Sequence, residues 1–402
     1  MTPRSPPFAA WVTLTLAAVV GFFTLFAILT VSPLLQVIIV DLSLTFAEGG
    51  LLFSVLVAMI VVGALLGGYV GDRTGIRKAL GVGAVLVGVG APLRGLTADY
   101  ASLLFFMGLV GIGYGVLLPN LPKLAQGWFP RNYLGKVTGI YMASLYAGAA
   151  FAISATLPIN SLLGSSWRNT LLIFGLVSAV AAGAWWLVAR NPPSSDASHD
   201  SENGPVGGQR VWANSQVWLV AVVLSSMNIF FYTLGGWLPT IFVERGSPPY
   251  VASLMTSAIY FLAIPATLVI PLLSDRIGRR KPFLWILALL AAGASYGLLV
   301  APLGFGWILA ATLGFATAGI MVVCYMLPVE MVSTSALGRA SGMIVSVGFV
   351  GGIVGPFTAG LLRDVTQSFA AVILVLVLSA LLAAVVAALV RETGKGGRDR
   401  SG

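Results

Sequence analysis

The sequence predicts an all-α integral membrane protein with twelve transmembrane helices in two parallel six-helix repeats. Three observations predict this fold: the composition, twelve long apolar runs, and a motif that occurs twice. Of the 402 residues, 58% are hydrophobic and only 9% are charged, and the mean hydropathy is +0.97. Because a water-soluble domain carries about 25% charged residues, the surface of this chain has to face an apolar solvent.

The apolar runs are long enough to cross a bilayer, which takes about 20 residues of helix. We expect helices because backbone groups exposed to lipid have to satisfy their own hydrogen bonds. A β-barrel would show short segments of alternating hydrophobicity, whereas these runs are continuously apolar. The runs cover residues 11–39, 49–71, 79–97, 101–125, 134–160, 168–190, 215–243, 250–274, 282–303, 305–329, 337–362 and 368–390.

A polar segment divides the twelve runs into two sets of six. Residues 191–214 are rich in Pro, Ser and Gly, a composition typical of a flexible linker. We therefore expect an N-terminal half over residues 1–190, a cytoplasmic linker over 191–214 and a C-terminal half over 215–402.

The basic residues predict the orientation of the chain in the membrane. With the N-terminus inside, 18 of the 22 Lys and Arg residues fall on the cytoplasmic side, and such a bias marks the cytoplasmic loops. We therefore expect a multi-pass protein of the cell (inner or plasma) membrane with both termini in the cytoplasm. The four basic residues expected on the other side are Arg94, Arg168, Arg245 and Arg363.

The two halves repeat each other in sequence. The segment GDRTGIRKAL returns as SDRIGRRKPFL, so Asp72 corresponds to Asp275 at an offset of 203 residues. The same offset relates Gly148 to Gly351. Because an even number of spans separates the copies, the repeats have the same orientation, as in transporters whose substrate site lies near the membrane midplane between two halves.

The doubled Asp-Arg-x-Gly loop resembles the signature of the major facilitator superfamily. The resemblance covers the whole chain and implies a secondary active transporter that moves a small solute by alternating access. Two segments, LPKLAQGWFP at Leu121–Pro130 and GGWLPTIFVERG at Gly235–Gly246, resemble the cyanate and nitrate/nitrite permease branches. This resemblance implies a small organic or inorganic anion as the substrate.

The sequence departs from the family pattern at three places. It lacks the arginine on helix 1, 2 or 8 that anion carriers of this kind often use. Helix 4 has Met107 where proton-coupled members commonly carry an arginine, and Gly148 is followed by Ala149 where antiporters have Gly-Pro. The missing arginine weighs against an inorganic anion, and the departures on helices 4 and 5 weigh against a proton-driven drug exporter. Efflux of a hydrophobic or weakly polar compound, which suits an uncharged cavity, is the alternative function.

The resemblance implies that the two loops form a gate that closes the cytoplasmic side. Asp72 would face the start of helix 11 and Asp275 the start of helix 5, with glycines at the tight turns. Alternatively, these charges only set the topology. Lys123 could pair with Glu330 across the gate, or both could be solvated. The predicted gate residues are Asp72, Arg73, Gly75, Lys123, Asp275, Arg276, Gly278, Glu330 and Arg339.

The predicted substrate contacts are neutral, because we find no Asp, Glu, Lys or Arg near the centre of any predicted span. Such ionisable groups usually mark function. Asn228 and Tyr232 are four residues apart and therefore share one helix face; packing is the alternative role for each candidate. The candidates are Gln36, Tyr114, Tyr141, Asn228, Tyr232, Tyr260 and Tyr325.

Other classes of function fit the residue inventory poorly. A single cysteine, Cys324, and a single histidine, His199, exclude a disulfide framework and make a metal or cofactor site unexpected. We expect no enzyme, because acids, bases and metal ligands do not cluster, and the repeated loops favour a carrier over a channel. We also expect no nucleic-acid partner, since the basic residues lie in short loops. The expected partners are a small-molecule substrate and the lipid bilayer, with the monomer as the functional unit.

Overall fold

Twelve long helices make up most of the computed structural model, which describes residues 6–192 and 211–393. These twelve are long and apolar enough to cross a membrane, and the described residues contain no strand, so the predicted fold class is confirmed. The helices are α1 (Phe8–Leu29 and Val31–Asp41), α2 (Phe46–Thr74), α3 (Ile76–Leu93), α4 (Tyr100–Trp128), α5 (Leu134–Leu162), α6 (Trp167–Val188), α7 (Ser215–Glu244), α8 (Pro249–Ile277), α9 (Lys281–Val300), α10 (Gly306–Met331), α11 (Thr334–Thr366) and α12 (Ala370–Leu389).

Helix α1 crosses as one stretch over Phe8–Asp41, which agrees with the predicted run over residues 11–39. Thr30 separates its two helical segments, but the backbone of Thr30 stays helical (φ -55°, ψ -29°) and its N–H donates to the carbonyl of Phe26 at 3.1 Å. Pro33 follows closely, and proline has no N–H to donate to the carbonyl four residues earlier, which is that of Leu29. One missing hydrogen bond therefore accounts for the division of α1.

The chain forms two compact units. The first comprises Met1–Leu44 and Leu51–His199, and the second comprises Thr45–Gly50 and Asp200–Gly402. The short segment Thr45–Gly50 belongs to the second unit, in which the carboxylate of Asp364 accepts hydrogen bonds from the first backbone N–H groups of α2. Most of the predicted linker over 191–214, with His199, lies outside the described residues, and the predicted half boundaries stay predictions.

The sequence repeat is visible in the packing of each unit. Helix α5 packs on α1 in the first unit, and α11 packs on α7 in the second. A methyl group added to Gly148 would collide with the carbonyl of Phe22, and one added to Gly351 would collide with that of Ser225. Both partners are related by the offset of 203 residues, so equivalent glycines bring equivalent helices into close contact.

Each unit has two ends, which we name by the repeated loops. The motif end of each unit is the end that carries Asp72 in the first unit or Asp275 in the second. We call the other end of each unit the opposite end. At the opposite end, Asp41 pairs with Arg168 at 2.6 Å. Glu244, which is related to Asp41 by 203 residues, pairs with Arg363 at 2.9 Å.

Candidate functional site

The repeated loop of the first unit is held by two sets of polar contacts. Lys123 Nζ lies 2.5 Å from Asp72 Oδ1, and both side chains are partly exposed to solvent. Arg77 donates through Nε to the carbonyl of Ala189 at 2.5 Å and through Nη2 to that of Trp186 at 2.7 Å. These carbonyls end α6, where backbone acceptors lack helical partners and carry partial negative charge. Arg77 therefore fastens the loop to the end of α6.

The repeated loop of the second unit is held by a denser ionic cluster. Arg280, the counterpart of Arg77, lies 2.6 Å from Asp275 and 2.9 Å from Glu330. Its backbone N–H donates to Glu392 at 2.6 Å, and Glu330 also accepts from Thr393 at 2.6 Å. Burial by itself lowers the pKa of Arg280, but the hydrogen bonds to Glu330 and Asp275 raise that pKa above its ordinary value.

In each loop, the predicted gate acid forms an ion pair with a residue of its own unit. Asp72 pairs with Lys123, and Asp275 pairs with Arg280, which also binds Glu330. The predicted contacts between the halves, such as Lys123 with Glu330, stay predictions.

The remaining gate residues take up positions that suit a turn and a solvated loop. Gly75 has φ 90° and Gly278 has φ 69°, backbone conformations that glycine adopts without strain. Arg73 stacks on the ring of Tyr69, with its guanidinium carbon 4.3 Å from the ring centroid. Arg276 and Arg339 are exposed.

The substrate candidates of the first unit lie on three different helices. Gln36 in α1 and Tyr114 in α4 are half-buried, whereas Tyr141 in α5 is buried. In the second unit, Tyr325 in α10 is exposed over 43% of its surface.

The structure brings two further candidates of the second unit together. The ring of Phe231 lies 5.3 Å from that of Tyr232 and 5.8 Å from that of Tyr260, measured between centroids. Phe349 of α11 lies 6.2 Å from Tyr232. Three helices therefore contribute to one aromatic cluster, consisting of Phe231, Tyr232, Tyr260 and Phe349, whose tyrosine hydroxyls give it polar groups.

Asn228 takes part in helix packing. Its side chain is fully buried, and Nδ2 donates to the carbonyl of Gly348 in α11 at 3.0 Å. Nine residues further along α7, Trp237 Nε1 donates to the carbonyl of Pro356 in α11 at 3.0 Å. Asn228 Oδ1 is buried and has no hydrogen-bond partner among the described residues. The amide therefore joins α7 to α11, and its role as a substrate contact stays a prediction.

Arg94, which the sequence places on the outer side of the membrane, was not among the predicted site residues. The residue begins a short 3-10 turn at the end of α3, and its side chain is only 1% exposed. It donates to Ala27 in α1 and contacts Met107 in α4. Its position inside the predicted apolar run 79–97 was the available signal. Arg94 lies at the end of α3 and not near the centre of a span, but its side chain reaches α1 and α4.

Comparison with known proteins agrees with this architecture. The family model described as Major Facilitator Superfamily matches residues 17–251 and 240–401. The chain is 25% identical over 383 residues to Uncharacterized transporter YycB of Bacillus subtilis (strain 168), covering 93% of this chain and 90% of the relative. It is 26% identical over 357 residues to the 2-nitroimidazole transporter of Escherichia coli (strain K12), covering 88% of each. It is 24% identical over 341 residues to Cyanate transport protein CynX of the same organism, covering 85% and 87%.

A solved structure shows the same fold. The bacterial homolog to the human lysosomal transporter Spinster, in its inward-facing and occupied conformation, superposes with a TM-score of 0.79 at 16% sequence identity. The match covers 96% of this chain and 97% of that chain. The family match spans nearly the whole sequence, and the twelve helices and the repeated packing agree with it. The chain therefore belongs to the Major Facilitator Superfamily and is a secondary transporter.

Proposed function

We propose that the chain carries a small organic or inorganic anion by alternating access. The observation that carries this proposal is the sign of the buried charge. Among the described residues the buried charged side chains are those of Arg94 and Arg280, and no aspartate or glutamate is buried to the same degree. Asp275 and Glu330 neutralise Arg280, whereas no carboxylate pairs with Arg94 in the described part of the chain. A fixed positive charge in a low-dielectric interior favours an anion over a neutral or cationic solute. The relative that is named a cyanate transport protein supports the same class of substrate.

The proposal includes the membrane in which the chain lies and its orientation there. The chain functions as a monomer in the plasma membrane, with both termini and the motif end of each unit in the cytoplasm. The support is the excess of Lys and Arg in the loops assigned to that side, because basic residues mark cytoplasmic loops.

The repeated loops act as the cytoplasmic gate in this proposal. Asp72 and Asp275 are partly exposed, and their ion-pair partners lie within their own units. Exposed ion pairs are worth only about 0–1 kcal/mol, so Asp72 can exchange Lys123 for another cation at low cost. Such an exchange is what a gate that opens in every transport cycle requires.

The test is binding followed by transport. Purified protein is screened by thermal shift against cyanate, benzoate, benzamide and 2-nitroimidazole, and compounds that bind are tested for uptake into proteoliposomes. We expect the anions to bind and to be transported, and benzamide, the neutral counterpart of benzoate, to bind more weakly. Binding of the neutral compounds alone would contradict the proposal.

Efflux of a weakly polar compound is the second candidate function. The aromatic cluster with its two tyrosines suits a flat, uncharged solute, and one relative is named a 2-nitroimidazole transporter. In the same screen, this candidate predicts that 2-nitroimidazole binds and that benzoate does not.

A further inference from the structure

The guanidinium of Arg94 joins three helices of the first unit. Nε donates to the carbonyl of Ala91 at 3.2 Å in α3, and Nη2 donates to the carbonyl of Ala27 at 2.8 Å in α1. Nη1 lies 3.4 Å from the sulfur of Met107 in α4. Met107 is seven residues from the start of α4, and at about 1.5 Å per residue the charge lies about 10 Å inside the opposite end.

This charge has no acidic partner. Among the described residues, no carboxylate forms an ion pair with Arg94. Three acceptors, one of them a weak sulfur acceptor, serve the five N–H groups of its guanidinium. An unpaired buried charge costs considerable stability, and an ionisable group inside a membrane protein is by default a functional one.

The charge also lies beside the point at which α1 loses a backbone hydrogen bond. Ala27 is in the turn before Thr30, and Pro33 has no N–H to donate to the carbonyl of Leu29. In transporters built from two repeats, the substrate site lies near the membrane midplane. The guanidinium of Arg94 is buried inside the first unit, and a low-dielectric interior extends the reach of its charge toward a solute at that depth.

We propose that Arg94 determines the preference for anions by acting through space as a fixed positive charge. This inference rests on the proposed function. The guanidinium of Arg94 reaches the sulfur of Met107 from α3, so an arginine at position 107 would place a positive charge at the same point from α4. Arg94 is a specificity-determining residue, and it does not have to touch the substrate.

Three variants separate the charge from the packing. Arg94→Met removes the charge and keeps an unbranched side chain, and Arg94→Lys keeps the charge. The double variant Arg94→Met with Met107→Arg moves the guanidinium from α3 to α4. Affinities for benzoate and benzamide are measured by thermal shift on each purified protein. We expect Arg94→Met to weaken benzoate binding at least tenfold, which is about 1.4 kcal/mol, and to change benzamide binding less than twofold.

Recovery of the preference for anions in Arg94→Lys and in the double variant is the decisive observation. We expect Arg94→Lys and the double variant each to recover at least half of the lost preference for benzoate over benzamide, on a logarithmic scale. Equal weakening of both compounds in Arg94→Met overturns the inference. So does a failure of both Arg94→Lys and the double variant to restore the preference while they remain folded. If Arg94→Met does not fold, Arg94→Lys with the wild-type preference supports the inference, and Arg94→Lys without it overturns the inference.

Failure of the proposed function gives a different result. In that case the wild-type protein itself binds neither benzoate nor cyanate but does bind a neutral compound, whereas failure of this inference alone leaves anion binding by the wild type intact.

Discussion

The side-chain amide of Asn228 in α7 donates a hydrogen bond to the backbone carbonyl of Gly348 in α11, at 3.0 Å. The bond is fully buried, and it joins the two helices of the second unit that also meet where Gly351 packs on the backbone of Ser225. Asn228 and Tyr232 share a helix face in the sequence, but the structure gives them different surroundings. Asn228 donates to the backbone of α11, whereas the ring of Tyr232 packs on the rings of Phe231 and Phe349.

Asn228→Ala and Tyr232→Phe should therefore differ in their effect on stability. Removal of the buried amide is expected to lower stability by about 1–3 kcal/mol, and unchanged affinity in the surviving protein would remove Asn228 from the predicted substrate contacts. Tyr232→Phe is expected to leave the melting temperature unchanged and to weaken substrate binding roughly threefold to a hundredfold. Melting temperature and affinity are measured on the same preparations. Unchanged affinity in Tyr232→Phe would remove this residue from the site.

The close packing of the repeat predicts position-dependent effects of added methyl groups. Gly148→Ala and Gly351→Ala place a methyl group against the backbone of α1 and α7, respectively, so the helices have to shift. Overpacking of this kind costs about 1–3 kcal/mol. Gly183→Ala and Gly293→Ala are matched controls, because an added methyl group meets no atom within 4 Å there. Thermal unfolding in detergent should show losses in the first pair only.

Asp72 and Glu330 should differ in their contribution to stability. Asp72→Asn breaks an exposed pair, so its effect on the melting temperature should be small, because such pairs contribute about 0–1 kcal/mol. Glu330→Gln weakens a half-buried charge-assisted contact with Arg280, for which about 1.5–3 kcal/mol is expected. Turnover should nevertheless fall in Asp72→Asn if Asp72 is a gate residue. Normal turnover in that variant would remove Asp72 from the gate.

The proposed orientation is tested by cysteines placed at both ends of the units. In a Cys324→Ala background, a cysteine at Ser43 or Gly304 should react with an impermeant thiol reagent added to intact cells. A cysteine at Thr74 or Ser333 should react only after permeabilisation. Wild-type Cys324 is fully buried, so it should give little background. The reverse labelling pattern would place the termini outside.

The sequence was sufficient to predict the fold because lipid imposes a simple rule. Each span needs about 20 apolar residues in a helix, so hydropathy locates the spans directly. The offset of 203 residues predicted a repeat, and the equivalent contacts of Gly148 and Gly351 show it in the packing. Helix α1 continues through Thr30 and Pro33, because transmembrane helices accommodate proline without breaking.

The substrate and gate residues could be predicted only as candidates, because their roles depend on which neighbours they meet. By itself the sequence determined the helix count, the repeat and the family, all of which follow from hydropathy and from the spacing of a motif. Only the tertiary structure decided that Asn228 joins α7 to α11 and that Lys123 pairs with Asp72. It also decided that Arg94 is buried, since a long side chain at a helix end can point to water or reach back into the protein. That choice is made by the helices packed around it, which no local pattern encodes.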